Sequence, residues 1–111
     1  MSDSLLLAEA RTKHARGDHA GAAAGCRTIL SATPDDPDAL HLLAIILSEV
    51  GLHSEAAPVF ERAIAHGGAE PTLLYNYGMT LRVLGQLALA ARAFQLAATN
   101  TVTDVDSWIA V

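Results

Sequence analysis

The sequence predicts an all-α solenoid of three helix-turn-helix repeats followed by a short C-terminal helix, and three observations carry that reading. The chain repeats with a period of 34 residues: segments 3–36, 37–70 and 71–104 align without a gap and bring Gly17, Gly51 and Gly85 into one column. Within each segment the apolar residues recur at helical spacing, as in Leu40, Leu43, Ala44 and Leu47 and again in Ala56, Phe60, Ala63 and Ile64. Hydrophobic residues make up 51% of the chain but aromatics only 5%, so the core must be built from alanine, leucine, isoleucine and valine, a composition suited to closely packed helices. At 111 residues the chain is one domain, residues 1–111, and its three units must share one continuous stack.

Each unit reads as two helices, because the glycine column falls between two periodic stretches, where a residue free to adopt positive φ lets the first helix end and the chain reverse. Other columns repeat as well. Leu6, Leu40, Leu74 and Trp108 share one, Ala10, Ala44 and Gly78 a second, Ala22, Ala56 and Ala90 a third, and Cys26, Phe60 and Phe94 a fourth. The small columns must be small for adjacent helices to approach, and Phe60 and Phe94 fill what remains between hairpins.

The first unit differs from its successors where charge replaces apolar residues: one column reads Glu9, Leu43, Tyr77, Val111 and another Lys13, Leu47, Leu81. Those positions should pack on a preceding repeat, so charge in the first unit is what an N-terminal cap requires, and Met1 is read as the start of the chain. Gly21 and Gly25 lie inside the second helix of this unit, where each lowers helix propensity by about 1 kcal/mol against alanine, and close packing is the expected reason. Units two and three open with Asp36-Pro37 and Glu70-Pro71, proline being suited to the first helical position because its missing N–H has no partner there. Pro58 is placed just past the start of the second helix of unit two, where it removes at most an early backbone bond or bends the first turn. Residues 105–111 open a fourth unit with Trp108 in its column and then stop. They are read either as a short lid, with Trp108, Ile109 and Val111 docked on the third unit, or as the cut edge of a longer array, whose apolar face invites self-association into a homo-oligomer.

These features together resemble the tetratricopeptide repeat, whose pattern is a W-x-x-L-G-x-x-Y run, then A-x-x-x-F, then proline. The A-x-x-x-F element is Ala56 to Phe60 and Ala90 to Phe94, with Ala22 to Cys26 a shortened version, and Pro34 supplies the one closing proline. Gly68 and Val102 stand where the other closing prolines would be, and Leu40 and Leu74 where tryptophan is common. The resemblance covers 3–104 and implies a right-handed α-α superhelix in which the first helices of successive units line a concave groove. It further implies the groove residues: Leu7, Arg11 and His14 from unit one, His41, Leu42, Ile45 and Ser48 from unit two, and Tyr75, Asn76, Met79 and Arg82 from unit three. That face is an apolar floor with basic ends, suited to a peptide or protein segment with apolar anchors whose acidic groups meet Arg11 or Arg82. Some members of the family grip C-terminal carboxylates with a lysine and asparagine clamp. The columns that would supply it here read Leu7, Arg11, Leu42 and Ile45, which disfavours that mode. Of the positions matching an asparagine ladder, Ala8, Leu42 and Asn76, only the last fits.

The remaining signals exclude several functions. Net charge is -5, and Lys13 is the only lysine beside six arginines, so no basic stripe meets a phosphate backbone and nucleic acid is not expected as a partner. No apolar run approaches the ~18 residues of a membrane span, and the acidic flank before Leu5, Leu6 and Leu7 is wrong for a secretory signal. With Cys26 the one cysteine, no internal disulfide forms, and a cytoplasmic home is expected. No two histidines are spaced i, i+4. His19 and His53 share a turn-flanking column, His66 precedes Gly67-Gly68, and His14 and His41 on the groove face lack a third ligand, so no metal and no cofactor are expected. Cys26 sits in the large apolar column as a buried thiol rather than a nucleophile, and no catalytic residue is identified. The reading is therefore a protein-interaction module and not an enzyme. An alternative is a substrate-recognition arm of a larger bacterial enzyme, because Pro34 to Ile64 resembles repeats found ahead of bacterial sulfotransferase and protein glycosyltransferase domains.

Overall fold

A computed structural model describes residues 3–67 and 70–99. The helices are α1 (Asp3–Ala15), α2 (His19–Ala32), α3 (Pro37–Glu49), α4 (His53–Gly67), α5 (Pro71–Val83) and α6 (Leu87–Thr99), and the described residues contain no strand. They pack as consecutive antiparallel hairpins, α1 on α2, α3 on α4 and α5 on α6. The second helix of each hairpin rests on the first helix of the next, α2 on α3 and α4 on α5.

The turn inside each hairpin has the same physical cause. Gly17, Gly51 and Gly85 take φ of +83°, +87° and +80°, a left-handed conformation that charges an L side chain about 1–2 kcal/mol and glycine almost nothing. Each glycine N–H then bonds a carbonyl three residues back, and the next residue's N–H bonds one five back: Gly51 to Ser48 and Leu52 to Leu47, with the equivalent pairs around Gly17 and Gly85. This is the Schellman arrangement, which satisfies carbonyls that a helix end would leave open. Between units α3 restarts on a capped end, whereas Glu70 ahead of Pro71 makes no side-chain cap hydrogen bond, and within unit one α2 is capped as well. Asp36 Oδ1 accepts the Ala39 N–H at 3.0 Å ahead of Pro37, and Asp18 Oδ1 does the same for Gly21 at 2.9 Å at the start of α2.

Small residues sit where helices cross. Ala10, Ala22, Ala44, Ala56 and Ala90 are buried, and a Cβ on Gly78 would stand 2.7 Å from the Phe94 ring. Gly25 answers the question of why α2 tolerates glycine, since its added Cβ would meet Ala10 Cβ at 3.2 Å. Pro58 departs from the expectation for the first turn: it lies inside α4, and the helix continues through it to Gly67. Packing of Ala56, Phe60, Ala63 and Ile64 holds that helix on the core.

The charged columns of unit one face outward as expected. Glu9 and Lys13 are exposed, whereas Leu43 and Leu47 are buried. Tyr77, in the column of Leu43, meets Phe60 of the preceding unit with ring centroids 5.9 Å apart and donates its hydroxyl hydrogen to Glu61 Oε2 at 2.7 Å. Burial and that acidic partner together push the Tyr77 phenol far above its ordinary range. Cys26 is fully buried, and burial raises its thiol to about 11, so it stays protonated and unreactive near neutrality. Residues 105–111, including Trp108, Ile109 and Val111, lie outside the described residues. No described helix is long and apolar enough to cross a membrane.

Candidate binding groove

The face expected to bind is built by α1, α3 and α5, whose turns bring residues four apart onto one side. Between α3 and α5 lies a hollow of about 220 Å³ lined by Ile45, Ser48, Glu49, Phe60, Tyr75, Asn76 and Met79. Five of the residues read from the sequence, Ile45, Ser48, Tyr75, Asn76 and Met79, are thus brought together, with buried Phe60 as the floor. Tyr75 is 53% exposed although its ring rests on Phe94 at 5.6 Å, so it stands as a wall rather than as core. Ser48 is less available than its position suggests, because its hydroxyl is bonded to Thr80 Oγ1 at 2.9 Å and to His53 Nδ1 at 3.2 Å.

On the other side of Tyr75 and Met79 a wider, mostly apolar hollow of about 640 Å³ opens between α5 and α6, bounded also by Pro71, Thr72, Arg82, Phe94, Ala97 and Ala98. Arg82 belongs to this second hollow, where its guanidinium lies 3.5 Å from Met79 Sδ. Phe94 is only half-buried there, unlike its column mate Phe60.

The other expected groove residues are placed differently. Leu42, assigned to the groove floor, is buried in the core at 8% exposure, because a leucine in that column folds back onto the hairpin where Ala8 cannot and Asn76 stays half-buried. His41 lines a separate small hollow with Pro37, Asp38, Ala63, Gly67, Glu70 and Leu73. Its Nε2 is buried without a hydrogen-bond partner, and burial holds its pKa below the ordinary histidine value even though Glu70 and Asp38 pull the other way. Leu7 is half-buried and Arg11 exposed on α1.

His14 departs most from expectation, since its Nε2 lies 2.5 Å from Glu49 Oε1, with His19 Nε2 at 3.9 Å from the same oxygen. No third ligand for His14 follows from the sequence. Glu49 is 35 residues away and on the next unit's first helix, so no local spacing could have found it.

The described residues form an all-helical array of consecutive hairpins, a helical-repeat arrangement consistent with tetratricopeptide-like repeats. The chain is similar to a mutant O-GlcNAc transferase of Thermobaculum terrenum, at 30% sequence identity and a TM-score of 0.82 over 86% of this chain. It spans only 18% of the length of that protein. No protein-family model and no curated protein matches the sequence.

Proposed function

We propose that this chain is a tetratricopeptide-repeat interaction module that holds a peptide or protein segment in the groove between α3 and α5. The observation that carries the reading is the convergence of Ile45, Tyr75, Asn76 and Met79 on one hollow, a mostly apolar surface that also carries the polar groups of Ser48, Glu49 and Asn76. Such a groove suits an extended or helical segment presenting apolar anchors, with an acidic group of the partner reaching Arg82 in the adjoining hollow between α5 and α6. The net charge of -5 argues against a nucleic-acid partner. The module itself performs no chemistry, and its place is the cytoplasm.

Peptides selected for binding from a random library should lose affinity when Tyr75→Glu and Met79→Glu are combined. The expected weakening is roughly 30-fold or more, matching the ~2 kcal/mol an aromatic anchor commonly carries, with the helical circular dichroism unchanged. Peptides bound equally well by the doubly substituted chain would sink the groove reading.

A second reading, in which the array is the substrate-recognition arm of a larger enzyme, is favoured by the likeness to part of an O-GlcNAc transferase. The native gene product decides between the two. A band on an immunoblot near 11.6 kDa speaks for a free-standing adaptor, and a much larger one for the arm.

A further inference from the structure

We propose that His14, His19 and Glu49 form a zinc site that ties the first repeat to the second. His14 lies in the last turn of α1, His19 opens α2 across the Gly17 turn, and Glu49 ends α3. Their ligand atoms all lie within 4.8 Å of one another, and among the described residues no other group of histidine, cysteine and carboxylate side chains converges in this way.

The geometry is close to what the ion requires. A tetrahedral zinc with bonds of about 2.0–2.2 Å sets its ligand atoms about 3.3 Å apart. The His14 contact of 2.5 Å must open by somewhat under 1 Å and the His19 contact of 3.9 Å must close by a similar amount. Neither ring is locked in the core: the two imidazoles are edge to face at 75° with centroids 6.1 Å apart, and their side chains are 26% and 39% exposed. Both rings present Nε2 to a single carboxylate oxygen, an arrangement of two imidazoles and one carboxylate that leaves a fourth position for water on a bound zinc.

The repeat itself provides the contrast. One period on, the counterparts of His14, His19 and Glu49 are Ser48, His53 and Val83. At that junction Ser48 bonds His53 and Thr80, and no carboxylate enters. Of the two junctions among the described residues, the first alone brings two histidines and a carboxylate together.

The test uses the full chain with any affinity tag removed. Titration calorimetry with zinc chloride should show one zinc per chain. Cobalt(II) in its place should give the intense visible absorption of a tetrahedral centre, and zinc should raise the melting temperature by binding the folded state alone. His14→Ala, His19→Ala and Glu49→Gln should each weaken binding by more than about tenfold, since even outer-shell losses at metal sites have effects of that size. His53→Ala and His66→Ala should leave it unchanged, and circular dichroism without zinc verifies that every variant folds. Binding that survives His14→Ala and His19→Ala, falls equally in the His66→Ala control, requires two chains per ion, or is undetectable at micromolar zinc would overturn the site.

Discussion

Replacing Phe60 with alanine is expected to remove about 3–5 kcal/mol of stability, the usual range for deleting a buried phenylalanine ring and leaving a cavity. Phe60 is fully buried, touches Tyr77 of the next unit at 5.9 Å and floors the α3–α5 hollow. Against a total stability of about 5–15 kcal/mol for an ordinary domain, such a loss is a third or more of the whole. Urea unfolding followed by circular dichroism measures it directly. Phe94→Ala in the same column should have roughly half the effect, because that ring is half-buried on Gly78 and Tyr75. Equal losses at the two positions would mean that burial between successive hairpins is not what stabilises the column.

This difference between Phe60 and Phe94 shows where the sequence was sufficient and where it was not. The period, the turns and the small columns were legible because each depends on local chemistry: positive φ at Gly17, Gly51 and Gly85, and alanine or glycine where helices cross. What each column faces depends on neighbouring units and on side-chain size. Leu42 shares a column with Ala8 and Asn76, yet it alone is long and apolar enough to be drawn into the core. The resemblance to tetratricopeptide repeats implies Tyr75 and Met79 for the groove face, but the two hollows on either side of them depend on how α6 lies against α5. The meeting of His14 and His19 with Glu49 was invisible for a further reason: it requires the stacking angle between units, which no spacing along the chain encodes.

The junction between the first and second units leads to the second large effect. Making Leu43→Glu and Leu47→Lys together gives unit two the residues that Glu9 and Lys13 provide in unit one, on a surface that is buried instead of exposed. Losing either leucine alone costs about 2–5 kcal/mol, and burying unpaired charge adds to it. Because a repeat array is stabilised mainly by nearest-neighbour contacts, the damage should be uneven. Hydrogen exchange should show α1 and α2 losing their protection, while α4, α5 and α6, joined through Phe60, Tyr77 and the Tyr77–Glu61 hydrogen bond, keep much of theirs. The reverse change, Glu9→Leu with Lys13→Leu, touches only exposed positions and should alter stability by no more than about 0.5 kcal/mol. Its cost is instead a new apolar surface on the outer side of α1, read as concentration-dependent association in light scattering. If protection is lost uniformly in the Leu43 and Leu47 variant, those columns hold each hairpin together internally, and charge at Glu9 and Lys13 then has no role in capping the array.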